Sequence, residues 1–265
     1  MSHPIITLTT DFGLRDPYVA EMKAVILSIS QKATIVDVSH EIEKFNTRMG
    51  AYVLACTAPY FPKGTIHLAI VDPGVGTTRQ PIILQTRHGL FIGPDNGVLT
   101  LAARRDGIIE IHKINNPELM MRNVSNTFHG RDVFAPAAAY LANEIPVENF
   151  GPRTSKIAVP PFARVVRKEG MIMGEVIYID EFGNIVTNLT KKSLALHTAK
   201  SNVGVKIGQV KRTLRFCEAY GEVDLRRPLV LIGSPSFVEI AINQGDAARK
   251  FKTKTGDKVT VYLHS

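Results

Sequence analysis

Hydrophobic and polar residues follow two alternating patterns along the first third of the chain. Apolar runs of strand length occur at Ile5–Thr9, Ala33–Val38 and Ile66–Val71. Between them, apolar residues recur at helical spacing in Tyr18–Ile29 and Thr47–Ala58. Strands that alternate with helices predict a mostly parallel, Rossmann-like sheet with helices on its faces.

Further elements extend this α/β pattern. Asp16-Pro17 predicts the N-cap and first position of the first helix. A hairpin is predicted from Pro81–Thr86 and Leu90–Ile92. The remaining predictions are a turn at Gly93–Gly97, a helix at Val98–Arg105, a strand at Ile108–His112 and a helix through Ala137–Leu141.

The pattern changes after a proline-containing segment without periodicity, which predicts a linker at residues 153–164. We therefore predict an N-terminal domain over residues 1–152 and a C-terminal domain over residues 165–265. Short strands without a strong helix predict a small all-β barrel in the second domain. These strands are Met171–Ile179, Asn184–Leu189, Val203–Ile207, Leu229–Ile232, Phe237–Ile242 and Lys258–Leu263.

Composition narrows the class of protein. The chain is 45% hydrophobic and 21% charged, which is ordinary for a folded soluble protein. No apolar run approaches the roughly 18 residues of a membrane span. Because the first residues do not resemble a secretory signal, a cytoplasmic protein is the expectation. The two cysteines, Cys56 and Cys217, lie far apart and form neither a metal motif nor a disulfide framework.

Charge is divided unevenly between the two halves. Residues 1–150 carry a net charge of −1 and residues 151–265 carry +9. Such asymmetry is one signal of nucleic-acid binding, which predicts salt-sensitive affinity. Aromatic residues are not interleaved with the lysines and arginines, however, so the solvated surface of a basic β domain is the preferred interpretation. We expect no nucleic-acid partner and no membrane partner.

Candidate chemistry lies at the strand ends. Asp72 follows the third strand and Arg79 lies seven residues further on, where open α/β sheets bind ligands. A turn-capping Asp and a solvated Arg are the structural alternative. The chain lacks the glycine-rich dinucleotide motif, the P-loop, the nucleophile elbow and metal-ligand spacing. We therefore expect chemistry without a metal.

Taken together, six motifs resemble one family, the S-adenosyl-L-methionine (SAM) hydroxide adenosyltransferases, which are related to the fluorinases and chlorinases. The motifs follow one another in order over essentially the whole chain. They are Leu8–Gly13, Asp37–Ile42, Val71–Gly76, Gly93–Gly97, Phe128–Asp132 and Ile179–Asn184.

The resemblance implies that SAM and water give adenosine and L-methionine, without a cofactor. It also implies a homotrimer whose active sites lie at subunit interfaces. Three side chains match the catalytic ones of the family: Asp72, Arg79 and His129. The implied substrate contacts are Asp11 at the ribose hydroxyls, Asn184 and Asp180 at the adenine or methionine end, Ser234 and Glu239 in a closing C-terminal segment, and Phe45 as an aromatic residue near SAM.

The chemistry agrees with these residue types. SAM expels a neutral thioether, so the leaving group needs no general acid, but water must be oriented and deprotonated. We hypothesise that Asp72 holds the water, that Arg79 fixes the carboxylate and that His129 shuttles the proton. The halogenating relatives carry an uncharged residue in place of Asp72. At about 4 Å and an effective dielectric near 20, a carboxylate repels a halide by roughly 4 kcal/mol, which favours water. Halide-dependent transfer and SAM or adenosine binding without turnover are the alternatives.

Overall fold

The computed structural model describes residues 3–194 and 202–262. The chain divides into two compact units, Met1–Val159 and Pro160–Ser265. The predicted linker, residues 153–164, contains this division. In the described ranges, no helix is long and apolar enough to cross a membrane.

The first unit is built on a six-stranded sheet. Its strands are β1 (Ile5–Thr10), β2 (Thr34–Ser39), β3 (Thr65–Ile70), β4 (Pro81–Thr86), β5 (Gly89–Pro94) and β6 (Ile108–Lys113). Their order across the sheet is β2-β1-β3-β5-β4-β6. The neighbouring pairs among β2, β1, β3 and β5 are parallel, whereas β4 is antiparallel to both of its neighbours. The predicted mostly parallel α/β sheet is confirmed.

Four helices accompany this sheet: α1 (Tyr18–Ile29), α2 (Thr47–Thr57), α3 (Thr100–Asp106) and α4 (Ala135–Ala142). Helix α1 buries Val19, Met22 and Ile26, as its apolar spacing predicts. The predicted range Tyr18–Ile29 is confirmed, but the predicted N-cap Asp16 was wrong by one residue, because the N-cap is Pro17 and no side chain caps the helix. The N-cap side chain of α2 is Asn46, which accepts a hydrogen bond from the Met49 backbone N–H.

The core explains why the third strand is mostly apolar. All six residues of β3 are buried, as expected for a strand that is covered on both faces. Leu68 and Ile70 belong to the same buried cluster as Leu8 on β1 and Phe134 just before α4. The sheet therefore supports the loops at its strand ends on a rigid base.

The second unit is a closed barrel. Its strands are β7 (Val166–Lys168), β8 (Met171–Ile179), β9 (Ile185–Thr190), β10 (Asn202–Ile207), β11 (Val210–Phe216), β12 (Pro228–Ile232), β13 (Phe237–Ile242) and β14 (Lys258–Tyr262). The order β14-β10-β11-β12-β13-β9-β8 closes because β14 also pairs with β8. The predicted all-β barrel is therefore confirmed. The last residue of the predicted final strand, residue 263, lies outside the described residues.

Two strands and two short helices of this unit were not predicted. Strand β7 is exposed throughout, and β11 exposes its charged residues, so neither shows an apolar run. The helices are α5 (Lys191–Leu194) and α6 (Ala247–Phe251). Asp246 caps α6 by accepting a hydrogen bond from the Arg249 backbone N–H.

Candidate active site

Two carboxylates lie close together at the carboxyl edge of the first sheet. Asp11 follows β1 directly, and Asp72 comes two residues after β3. Because β1 and β3 are parallel neighbours, these ends meet at one edge. Burial raises the pKa of Asp11 above its usual range, and the charge of Asp72 raises it further.

Asp72 is held by Arg79. The Arg79 Nε donates to Asp72 Oδ1 at 3.0 Å, and Arg79 Nη2 donates to the other carboxylate oxygen. Both side chains are largely buried, with 9% of Arg79 and 6% of Asp72 exposed. The guanidinium also lies 5.2 Å from the ring centroid of Phe134. This two-point contact fixes the plane of the carboxylate.

The same guanidinium contacts His129. Arg79 Nη2 lies 2.8 Å from His129 Nδ1. A guanidinium has only donors, so Nδ1 must be the acceptor and the ring proton must lie on Nε2. Burial lowers the pKa of His129, and the neighbouring Arg79 charge lowers it further against the opposing pull of Asp72. His129 is therefore neutral at pH 7 and presents an N–H at Nε2.

A glycine allows the two segments of this cluster to approach. Gly76, in the turn between Asp72 and Arg79, has a φ of +74°. A Cβ at this position would lie 2.4 Å from the carbonyl oxygen of Asn126, three residues before His129. Only glycine satisfies both conditions, so this turn brings Arg79 against the His129 segment.

The turn that carries His129 is held by a buried carboxylate, Asp132, which was not singled out from the sequence. His129 is the N-cap of a π-helical turn, Gly130–Phe134. Asp132, 1% exposed, accepts hydrogen bonds from Arg131 Nε at 2.7 Å and from the Ser125 backbone N–H at 2.8 Å. The only sequence signal for Asp132 was its place in Phe128–Asp132, one of the six motifs that resemble the family.

Asp11 is positioned by the loop before α2. The Phe45 backbone N–H donates to Asp11 Oδ2 at 2.8 Å. Phe45 adopts a φ of +65°, which is uncommon for a non-glycine residue, and its ring is 69% exposed. The two residues are thus brought together through the Phe45 backbone.

In the second unit, Asp180 and Asn184 form a self-contained loop between β8 and β9. Asp180 Oδ1 accepts from the Asn184 backbone N–H at 2.8 Å, and Asp180 Oδ2 accepts from Asn184 Nδ2 at 2.9 Å. The side-chain carbonyl oxygen of Asn184 makes no hydrogen bond with any described residue. It therefore offers an acceptor to a ligand.

Glu239 is buried on β13 near this loop. It accepts a hydrogen bond from the Tyr220 hydroxyl at 3.0 Å. Burial raises the pKa of Glu239, and the charge of Asp180 adds to the rise. Tyr220 was not singled out from the sequence, because a lone tyrosine in a polar stretch has no signature. Ser234 is exposed in the turn before β13, and its side chain has no hydrogen-bond partner in the described part of the chain.

Metal ligands are not clustered. Over residues 3–194 and 202–262, no group of three or more His, Cys, Asp or Glu side chains is arranged to hold a metal ion.

Known proteins resemble this chain over both of its compact units. The family model for the SAM hydroxide adenosyltransferase N-terminal domain matches residues 6–151, and the model for the C-terminal domain matches residues 174–260. A Salinispora arenicola protein named (R)-S-adenosyl-L-methionine hydrolase is 36% identical over 98% of each chain. A protein of the same name from Thermus thermophilus is 37% identical over 93% of this chain and 95% of its own.

A solved structure and a more distant relative complete the comparison. A conserved protein from Thermotoga maritima superposes with a TM-score of 0.84 at 40% identity, over 97% of this chain and 99% of its own. A fluorinase from Actinopolyspora mzabensis is 28% identical over 98% of this chain and 97% of its own.

Proposed function

Because the chain belongs to the SAM hydroxide adenosyltransferase family, we propose that it hydrolyses SAM to adenosine and L-methionine. The oxygen of water bonds to C5′ of the ribose while the bond from C5′ to the sulfonium sulfur breaks. The electron pair leaves with sulfur, and one proton is released to solvent. The observation that carries this proposal is the carboxylate of Asp72 held on two sides by Arg79.

Asp72 is the group that orients the attacking water. Each carboxylate oxygen has two acceptor positions, so the two bonds from Arg79 leave one free on each oxygen. A water on either free position has a hydrogen-bond acceptor that draws away its proton as the C–O bond forms. Arg79 keeps that oxygen in one place throughout the reaction.

His129 acts as a donor more readily than as the shuttle that its titration range first indicated. Its Nδ1 lone pair is occupied by Arg79, so the resting ring has no free acceptor. The Nε2 proton is available to orient the water oxygen or the ribose. His129 therefore completes the orientation of the nucleophile, and Asp72 takes the proton.

Substrate-binding roles remain predictions for six further side chains. Asp11, with one oxygen held by the Phe45 N–H, is assigned to the ribose hydroxyls, and Phe45 to a position beside SAM. Asn184, Asp180, Glu239 and Ser234 are assigned to the adenine or methionine end and to the closing segment. The available carbonyl of Asn184 supports its place in this set.

Two broader proposals concern assembly, for which the family resemblance is the support, and location. We infer a homotrimer with the active site at the subunit interface, and a cytoplasmic protein. Light scattering of the purified protein tests the first. A mass of three chains is expected, and a monomeric protein with full turnover would contradict the interface site.

The test of the reaction is incubation with SAM in water enriched in heavy oxygen. We expect adenosine whose 5′-hydroxyl carries the heavy isotope, together with an equal amount of methionine. The same assay in high chloride tests halide transfer, because that reaction would give 5′-chloro-5′-deoxyadenosine. SAM that stays intact and bound for hours would identify a binding module instead.

A matched variant tests whether the negative charge of Asp72 supports turnover. Asp72→Asn keeps the shape of the side chain but removes the negative charge, so turnover should fall far more than SAM affinity. Wild-type turnover in this variant would refute the role of Asp72.

A further inference from the structure

The first unit contains a cavity of about 330 Å³ away from the carboxyl edge. Its apolar wall includes Phe61, Phe91 and Ala102, and His67 on β3 also lines it. His67 precedes Asp72 by five residues on an extended segment, so the two positions lie roughly 15 Å apart. The cavity is therefore distinct from the Asp72 site. Its volume is near the lower end of the range for small-molecule pockets, which suits one or two fused rings.

His67 is a buried polar group that the proposed reaction does not use. Its side chain lies between two aromatic rings, stacked on Phe91 at 4.8 Å and edge-to-face with Phe61 at 5.6 Å between centroids. Its Nδ1 lies 2.9 Å from Thr7 Oγ1. The residue is 4% exposed. Burial lowers its pKa to about 4, so the ring is neutral at pH 7.

The second ring nitrogen of His67 remains available. Nε2 makes no hydrogen bond with any residue of the described ranges. Gly89 also lines the cavity and lies next to this nitrogen, since a Cβ there would lie 3.7 Å from Nε2. A ring nitrogen that has no protein partner and lies on the wall of a cavity can hydrogen-bond to a ligand or to water.

The cavity wall carries an excess of positive charge. Asp106 is committed to His88, through the imidazole Nδ1 and through the His88 backbone N–H at 3.0 Å. Arg105 is fixed by donating to the Ala55 carbonyl at 3.1 Å. Lys63 lines the cavity and forms no ion pair with another described residue. Its ammonium is therefore the charge that is left to engage an anionic ligand.

We propose that this cavity is a second ligand site, which binds a small planar heteroaromatic acid. The rings of the ligand lie against Phe61, Phe91 and Ala102, its ring heteroatom hydrogen-bonds to His67 Nε2, and its anionic group is held by Lys63. Flat aromatic walls favour a flat ligand through stacking. The free ammonium favours a negative charge at one end of that ligand.

Fluorescence titration with indole-3-acetate tests the site. The chain contains no tryptophan, so indole emission reports on the ligand alone. We expect a saturable blue shift, because the ring moves from water into an apolar cavity. Saturating adenosine should leave the titration unchanged. Displacement by adenosine would assign the probe to the Asp72 site and overturn the proposal.

Variants test the Lys63 charge and the cavity volume independently. Lys63→Met should weaken indole-3-acetate about threefold, as for an exposed ion pair, and leave neutral indole unaffected. Lys250→Met, an exposed lysine of the second unit, is the matched control and should change neither. Ala58 also lines the cavity, so Ala58→Phe should fill it and weaken both probes at least tenfold. No saturable shift with the wild-type chain, or equal affinities in the two lysine variants, would overturn the proposal.

Discussion

Replacing Arg79 with lysine tests whether the geometry of the guanidinium, and not only its charge, supports turnover. Arg79 donates from Nε to one oxygen of Asp72, from Nη2 to the other, and from Nη2 to His129 Nδ1. Lysine keeps the positive charge but has a single nitrogen, which cannot reproduce this planar fork. Both the carboxylate and the imidazole therefore lose their fixed orientation in Arg79→Lys.

The size of the effect follows from these contacts. A hydrogen bond to a charged group contributes about 1.5–3 kcal/mol. If one such bond is lost in the transition state, the rate falls about 10–150-fold, since each 1.36 kcal/mol is a factor of ten. The side chain contacts the nucleophile-orienting groups and is not assigned to the substrate, so kcat should fall while KM changes less than about threefold.

The assay is steady-state production of adenosine, together with nitrogen NMR of His129. In the wild-type chain Nδ1 should have the chemical shift of an unprotonated ring nitrogen, and Arg79→Lys should produce a mixture of tautomers. Arg153→Lys is the matched control, because Arg153 is 64% exposed and pairs with Glu110 at 3.3 Å. If Arg79→Lys retained the kcat of this control, the orienting role of the fork would be refuted.

Three further predictions concern titration and binding. His129 must be neutral to accept a hydrogen bond from Arg79, and its pKa is lowered by burial and by the Arg79 charge. We therefore expect kcat/KM to fall only at a pH below the usual pKa of histidine. Arg79→Met should move this acid limb to higher pH, because a cation that lowers the His129 pKa is removed, and an unmoved limb would show that another group titrates. The pKa of His67 is lowered from 6.5 to about 4, so the unfolded state binds more protons between these values. The stability due to His67 is therefore complete above pH 6.5 and falls by about 3 kcal/mol as the pH drops to 4, at 1.36 kcal/mol per pH unit, and denaturant unfolding of His67→Gln should lack this loss. Asp11→Ala should weaken adenosine binding about tenfold in calorimetry, because the ribose hydroxyls lose a charged acceptor, and unchanged affinity would contradict that placement.

Local pattern predicted most of the fold because most elements bury a continuous face. The run Ile66–Val71 is apolar apart from His67, and all of β3 is buried. Strand β11 was missed for the opposite reason, since four of its seven residues are Lys, Arg or Thr and all four are exposed. A strand that is held by barrel closure does not need an apolar run of its own, so its sequence carries no periodic signal.

The candidate site was predictable only in part. Asp72 and Arg79 are joined by one tight turn, so spacing alone brought them together. His129 lies fifty residues beyond Arg79. From the sequence, only the family resemblance relates the two residues. The tautomer of His129, the burial of Asp132 and the hydrogen bond from Tyr220 to Glu239 depend on tertiary contacts that no local pattern records.

The pairing of Asp72 with Arg79 has a consequence for the proposed reaction. Positive charge begins on the sulfonium sulfur and develops on the attacking water oxygen as the C–O bond forms. A carboxylate could stabilise the charge on sulfur as strongly as the charge on the water oxygen. It would then lower the energy of the ground state and of the transition state equally, and the step would not be accelerated. Arg79 partly neutralises the charge of the Asp72 carboxylate, so the long-range attraction between that carboxylate and the SAM sulfonium is weaker. The free acceptor positions on the carboxylate oxygens still allow a strong short-range hydrogen bond with the water. We therefore propose that Asp72 favours the transition state over the bound substrate, which is the condition for rate enhancement by a fixed charge.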